Sequence, residues 1–372
     1  MRFKVISVLA IAMLLAWPRI AGAQDHPGDF ADVAAAASSA REQGDIAKAI
    51  SMYQEAVRLN PNWPDGWWYL GTLDYGSNAY APAIDALTHY IELTPKGGPA
   101  YALRGLCEFE AGEYPSALND LERGIALGAA NQPRNSQIIF YHEALLLTKL
   151  GRYEEALGKY ALMVKHGTFD EDIANGIGLA GLRLPILPAE IDPGQAQLIA
   201  NVGTAAASVM RGDMDDGQRK FQAIFASHPR APYLHYLYGY LLSVAAPEQA
   251  IAQFQKELTI SPNSAIAHSM LAWCLGTEGD FRAALPNAEK SAQEDPSLLM
   301  GQLVLGRDLV ETGDWNGALP HLEAVLKSDT KNLEAHLALA KAYSELGRKD
   351  DARRERLLCL SLSKHGAANA NL

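Results

Sequence analysis

Residues 67–95 read WWYLGTLDYGSNAYAPAIDALTHYIELTP, and the alanine near the middle of that stretch, Ala83, decides the fold. Alanine recurs at Ala49 and Ala117 on either side of it, and again at Ala250, Ala284, Ala318 and Ala352, with every step inside each run equal to 34 residues. A fixed period of this size marks a repeat array. Glycine stands five residues before the alanine at Gly44, Gly112, Gly151, Gly279, Gly313 and Gly347, and proline twelve after it at Pro61, Pro95, Pro262 and Pro296. Glycine closes a first helix through a left-handed residue, whereas proline cannot continue a second one and turns the chain onward. Alanine lies between them, where two helices cross closely and a larger side chain would strain the pair by about 1–3 kcal/mol. Apolar residues keep helical spacing between these markers, as in Ile50, Tyr53, Val57 and in Leu319, Leu322, Val325, Leu326.

Aligned on the alanine, nine copies start near Phe30, Pro64, Gly98, Gln137, Leu198, Ala231, Ala265, Leu299 and Leu333. Trp67, Leu70, Gly71, Tyr80, Ala83, Leu87, Tyr90 and Pro95, with Tyr101, Gly105, Gly112, Tyr114, Ala117 and Leu121 in the next copy, agree in spacing and residue type with the tetratricopeptide repeat family, which the chain resembles over about nine tenths of its length. The resemblance implies an all-α fold, a right-handed superhelical solenoid of antiparallel helix pairs. Two departures break the period. A five-residue surplus at Asn131–Asn135 lengthens one loop, and a break runs from Glu171 to Gln197, in which a short helix capped at Asp170–Asp172 reaches about Leu182 before Pro185, Pro188 and Pro193 forbid regular helix. The expected organisation is a signal peptide at 1–23, a linker at 24–29, a lobe of about four repeats at 30–170, the break at 171–197, a lobe of about five repeats at 198–366 and a disordered tail at 367–372. Whether the break is a hinge or a degenerate repeat stays open.

The leader has two basic residues, Arg2 and Lys4, an apolar run from Val5 to Trp17, and Ala21-Gly22-Ala23 before Gln24. Thirteen apolar residues are too few for a bilayer span, which needs about 20, so cleavage after Ala23 and a periplasmic or secreted location are expected. The mature chain then carries 29 basic against 43 acidic residues, a net charge near −14. Such a field repels phosphate backbones, which disfavours nucleic acid and favours basic or neutral peptides. Cys107, Cys274 and Cys359 lie in copies too far apart to pair and are expected as buried free thiols.

Motifs for chemistry are few. Gly176, Gly178 and Gly181 spell a dinucleotide-loop string with no strand before it, so close helix packing is its better reading. Asp213, Asp215, Asp216 and Gly217 do not fill a calcium-loop frame. His235, His268 and His336 occupy the repeat position held by Trp67 and, at about 10 Å per copy, are spaced for packing rather than for a shared metal. No enzyme, metal or cofactor is expected. By the resemblance, first helices line a concave binding groove, and its offsets fall on Trp68, Thr72 and Tyr75, on Ala102, Leu106 and Phe109, and on Tyr141 and Leu145. In the second lobe they fall on Tyr233, Tyr236, Tyr240, Trp273, Arg307 and Lys341. Each ring also has a plain reading as packing between helices. Tyr233, Tyr236 and Tyr240 weigh more, because that spacing places three rings on one helical face. The asparagine and lysine set with which some members clamp a terminal carboxylate is not matched. The function implied is a non-enzymatic scaffold holding a protein or peptide segment; a glycan stacked on the same rings is the alternative.

Overall fold

The structure, a computed structural model, describes residues 27–369 and is built of helices, with no strand among the described residues. The signal peptide expected at 1–23 lies outside them. By contacts the described residues divide into two compact units, one reaching to residue 180 with 184–191 and one of residues 181–183 with those from 192 onward. The first unit holds four helix pairs: α1 (Pro27–Glu42) with α2 (Ile46–Leu59), α3 (Pro64–Gly76) with α4 (Tyr80–Leu93), α5 (Gly98–Ala111) with α6 (Tyr114–Ala126), and α7 (Pro133–Lys149) with α8 (Tyr153–Lys165), followed by α9 (Glu171–Gly181). The second holds five: α10 (Pro193–Met210) with α11 (Met214–Ser227), α12 (Leu234–Leu242) with α13 (Pro247–Ile260), α14 (Ala265–Thr277) with α15 (Phe281–Glu294), α16 (Leu299–Thr312) with α17 (Trp315–Ser328), and α18 (Leu333–Glu345) with α19 (Lys349–Asn369). This is the all-α array of antiparallel helix pairs that the 34-residue period predicts.

The period has its cause in the core. Ala49, Ala83, Ala117, Ala156, Ala250, Ala284 and Ala318 are completely buried and Ala352 is 2 % exposed, so the closest approach of each pair is made at the recurrent alanine. In two pairs the facing residue on the first helix is glycine: a Cβ on Gly71 would press on Leu87, and one on Gly105 would lie 2.9 Å from the carbonyl oxygen of Ala117. The second helix then packs forward on the next first helix, α2 on α3, α4 on α5, α13 on α14, α15 on α16 and α17 on α18. Ala318, Leu322 and Val325, with Leu319 and Leu326 at their edge, meet Ala335, Ala338, Leu339 and Ala342 in this way.

A second link recurs at the head of the first helix. The Trp67 indole donates to the Pro61 carbonyl at 2.8 Å, the Gln302 amide donates to that of Pro296 at 2.9 Å, and His268 and His336 pair with the carbonyls of Pro262 and Thr330 at 3.0 and 3.1 Å. Each reaches back six residues to the loop it has just left. The three last also bond the second helix of their own pair, at Asn287, His321 and Glu355. Histidines that suggested ligands are therefore hairpin fasteners.

Boundaries shift where proline opens a helix instead of forbidding one. The surplus at Asn131–Asn135 is partly absorbed into α7, which begins at Pro133, and α10 begins at Pro193, inside the expected break. Proline is tolerated at the first helical position because its missing N–H has no intrahelical partner there, and the Asp192 side chain caps the start by accepting from the Gly194 N–H at 2.7 Å. Between α9 and α10 the backbone holds one 3-10 turn, Pro188–Glu190. α1 begins at Pro27, within the expected linker, and α19 runs to Asn369, into the stretch read as tail.

α19 is the last helix among the described residues, and its outer face differs from that of the earlier second helices. Thirty-four residues after Leu319, Leu322 and Leu326 stand Arg353, Arg356 and Leu360, and the two arginines are exposed, as is Leu360 at 59 %. A further pair stacked there would bury two guanidinium groups in an apolar seam, a cost of several kcal/mol per ion. Replacing both arginines with leucine restores the stacking face. The R353L/R356L variant is expected to keep its helicity and to self-associate end to end, seen as a rise in average mass over the parent chain in sedimentation velocity at matched concentration.

Candidate binding face of the first helices

On the first unit, the repeat turns α3, α5 and α7 so that Trp68, Thr72 and Tyr75, then Ala102, Leu106 and Phe109, then Tyr141 and Leu145 fall at corresponding places. Ala102, Leu106 and Leu145 are buried, whereas Trp68, Thr72, Tyr75, Phe109 and Tyr141 are half-buried. Trp68 lies 5.5 Å from the Tyr90 ring, and the Thr72 hydroxyl donates to the Tyr69 carbonyl at 2.9 Å. Tyr75 packs on Tyr80 at 6.1 Å, and Phe109 on Tyr114 at 6.0 Å, the same pair of places one period later. Phe109 also meets His142 edge-on at 5.0 Å, and His142 meets Tyr141 edge-on at 5.6 Å, so rings run continuously from α5 to α7. Burial holds the His142 imidazole below its ordinary pKa, against the pull of its bond to the Ile138 carbonyl. Burial, with Asp172 and Asp170 near by, holds the Tyr141 hydroxyl well above the usual phenol range.

The second unit uses its candidates differently. Tyr233 precedes α12 and is its N-cap, with φ at 63°, so the three tyrosines do not share one helical face. The cause is Glu257, fully buried on α13: its carboxylate accepts from the Tyr233 N–H at 2.8 Å, from the Tyr236 N–H at 3.2 Å and from the Ser261 hydroxyl at 3.0 Å, which fixes where the helix starts. Tyr236 is 1 % exposed and packs between Tyr240 at 6.3 Å and Phe254 at 5.8 Å, a core ring that supports Tyr240. The Arg183 guanidinium lies 5.7 Å from the ring centres of both Tyr233 and Tyr236. Trp273 is half-buried against Ala272, Ala284 and Leu305. Arg307 is committed within the unit: it donates to Asp308 at 2.9 Å, to the Ala272 carbonyl at 3.1 Å and to Glu334 at 3.5 Å. Lys341 is paired with Glu311.

Charge balance separates the two faces. Asp74 and Glu108, the same repeat position on α3 and α5, are buried at 4 % and 7 % exposure, and neither side chain has a hydrogen bond or ion pair among the described residues. One Glu108 carboxylate oxygen is sealed from solvent with no partner. Other buried acids are matched: Asp120 with Arg104 at 2.6 Å, Glu143 with Lys159 at 2.7 Å, Glu355 with His336 at 2.6 Å. Burial raises the Asp74 carboxyl to about 6 and the Glu108 carboxyl to about 7, the neighbouring Asp120 adding to the latter. Groove offsets pass over these acids, yet the sequence carries a signal for them: Asp74-Tyr75 with Tyr80 and Glu108-Phe109 with Tyr114 repeat one pattern at one period.

The remaining motifs resolve into packing. Gly176 leaves room for the Tyr160 hydroxyl, so the glycine string belongs to a helix–helix contact. Asp213 caps α11 through the Asp216 N–H, and Asp216 pairs with Arg219 and Lys220. Cys107, Cys274 and Cys359 are buried and free, and burial pushes the first two thiols up to about 12 and about 11.

Family models described as tetratricopeptide repeat match residues 34–98 and 309–355. No curated protein matches the sequence. Solved structures that resemble the chain include MamA, 18% identical over 44% of this chain and 96% of that one with a TM-score of 0.39, and YrrB, described as having an unusual peptide-binding site, 16% identical over 44% and 85% with a TM-score of 0.39. Yeast Tom70 is 13% identical over 90% of this chain and 84% of its own, with a TM-score of 0.36.

A buried carboxyl held above its ordinary pKa stabilises the fold while protonated. That contribution is complete below about pH 4, where the unfolded chain also binds the proton, and is lost as pH rises through about 6 to 7. Glu108→Gln keeps the shape and removes the titration. Its thermal midpoint, followed by circular dichroism, is expected to exceed that of the parent chain at pH 8 and to converge on it near pH 5; a constant offset across that range contradicts the assignment.

Proposed function

We infer from the tetratricopeptide repeat matches at residues 34–98 and 309–355 that the chain is a scaffold for contact with other proteins. We propose further that it acts without catalysis, outside the cytoplasm, by holding a protein segment along the first-helix face. The observation that carries this reading is the run of rings on successive first helices of the first unit, Tyr75, Phe109, His142 and Tyr141, with Tyr75 and Phe109 each packed on the tyrosine that opens its second helix, Tyr80 and Tyr114. Rings give large contact area at low entropy cost and keep a polar edge, which suits an extended guest. A period of one helix pair, about 10 Å, presents them at roughly every third residue of such a guest, since an extended chain advances about 3.3 Å per residue.

Export is supported by the leader, whose basic start, short apolar run and small-residue triplet before Gln24 fit a cleaved signal. Among the described residues no helix is long and apolar enough to cross a membrane.

A photo-crosslinking side chain placed at Phe109 or Tyr141 and activated in living cells is expected to trap a protein partner. The same group at Leu162, an exposed residue of the second helix α8, is expected to trap none. Equal yields from the three places overturn the assigned face. In the same cells, amino-terminal sequencing of the mature chain is expected to begin at Gln24 and fractionation to recover it outside the cytoplasm.

A further inference from the structure

Residues 184–191, Leu-Pro-Ile-Leu-Pro-Ala-Glu-Ile, count by contacts with the first unit, although the chain on either side of them counts with the second. They belong to no helix pair. Pro185 and Pro188 lack an N–H and disfavour helix in the residues before them, and one 3-10 turn, Pro188–Glu190, lies between two extended residues, Leu187 and Ile191. At the start of the segment the Leu184 N–H donates to the Leu179 carbonyl of α9 at 2.9 Å. Near its end the Glu190 carboxylate accepts from the Lys149 ammonium of α7 at 2.8 and 3.0 Å, and from the Leu187 N–H, which closes the turn.

The same ammonium lies 5.5 Å from the centre of the Tyr114 ring, and Tyr114 packs on Phe109 at 6.0 Å. Glu190, Lys149, Tyr114 and Phe109 therefore form one line of contacts, leading from the segment to the rings. Ile186, Leu187 and Pro188 are half-buried, whereas Pro185, Ala189 and Glu190 are exposed, so the middle of the segment takes apolar cover from the unit. A short non-helical stretch, apolar in its middle and tied to the edge of a ring-lined face, has the form of the guest that such a face would hold. Its attachment is weak: proline removes backbone donors, no helix pair encloses it, and an ion pair with a half-exposed member contributes little.

We propose that residues 184–191 form a strap over the Tyr114 end of the ring-bearing face, latched by Glu190 on Lys149, and that the strap and a guest segment exclude one another there. This rests on the binding face proposed above and adds its regulation: a guest that reaches Tyr114 first releases the latch.

The test places a benzophenone side chain at Tyr114 of the mature chain, purified without a guest. Irradiation is expected to join that side chain to residues 184–191, read by mass spectrometry of the digest. Glu190→Lys, which sets two ammonium groups against each other, is expected to lower the yield at least about five-fold, whereas Glu248→Lys, the same change at an exposed acid of the second unit, leaves it within about two-fold. With Tyr114 intact, hydrogen exchange gives an independent reading: the Leu187 and Ile191 amides are expected to exchange at least about five-fold faster in Glu190→Lys, with α5 to α8 unchanged. No crosslink to the segment, equal yields in the two variants, or unaltered exchange overturns the strap. In living cells the same benzophenone is expected to trap at least about two-fold more partner protein with Glu190→Lys than without it. Trapping at Tyr114 that exceeds trapping at Leu162 but does not respond to Glu190→Lys leaves the binding face standing and removes the exclusion; trapping no greater at Tyr114 than at Leu162 removes the face itself.

Discussion

Two helices can approach closely only where neither carries bulk, and the array is organised around the places where that condition is met. The recurrent alanine supplies one side of each crossing, and glycine at Gly71 and Gly105 supplies the other, leaving no room for an added carbon. Once the crossing is set, the rest follows in order. The second helix has a fixed face left over, that face takes the next first helix, and the first helices fall into register along the unit. Equivalent places on successive first helices, such as Tyr75 and Phe109, thereby recur once per helix pair. The face proposed for binding takes its spacing from that core contact.

Polar chemistry in the interior is spent mostly on keeping that register. Trp67, His268, Gln302 and His336 differ in size, aromaticity and charge, yet each fastens the start of a first helix to the loop six residues behind it. Glu257 does comparable work in the second unit, where its buried carboxylate fixes the start of α12 by taking two backbone N–H groups. Against this background the unmatched Asp74 and Glu108 are conspicuous. Burial raises both carboxyls above their ordinary pKa, and neither makes a hydrogen bond or ion pair among the described residues.

Legibility in the sequence followed the strength of the constraint. Ala49, Ala83 and Ala318 could be read with certainty of place because overpacking penalises every alternative, and the glycine and proline that bracket them are dictated by backbone geometry. Pro193 misled because proline has two positional meanings, a stop inside a helix and a favoured opening residue, and residue type alone does not choose between them. The tyrosines of α12 were harder still. Spacing alone places Tyr233 on the helix with Tyr236 and Tyr240, but a carboxylate 24 residues away makes it the cap, a long-range effect that no local pattern carries. Arg307 and Lys341 read as free donors because their acidic partners sit on neighbouring helices or beside them in positions that spacing does not flag. Asp74 and Glu108 were visible as a repeated pair, but their meaning lay in having no partner, which only the packed structure reveals.

The exposed arginines of α19 bear on what can stack beyond it. The internal helix α17 offers a seam of Leu319, Leu322 and Val325 to the next first helix, α18. α19 has one such seam and one charged one, with Arg353 and Arg356 in the places of Leu319 and Leu322. A helix pair stacked after α19 would meet those two guanidinium groups where an internal pair offers leucine, with Leu357 and Leu360 exposed beside them.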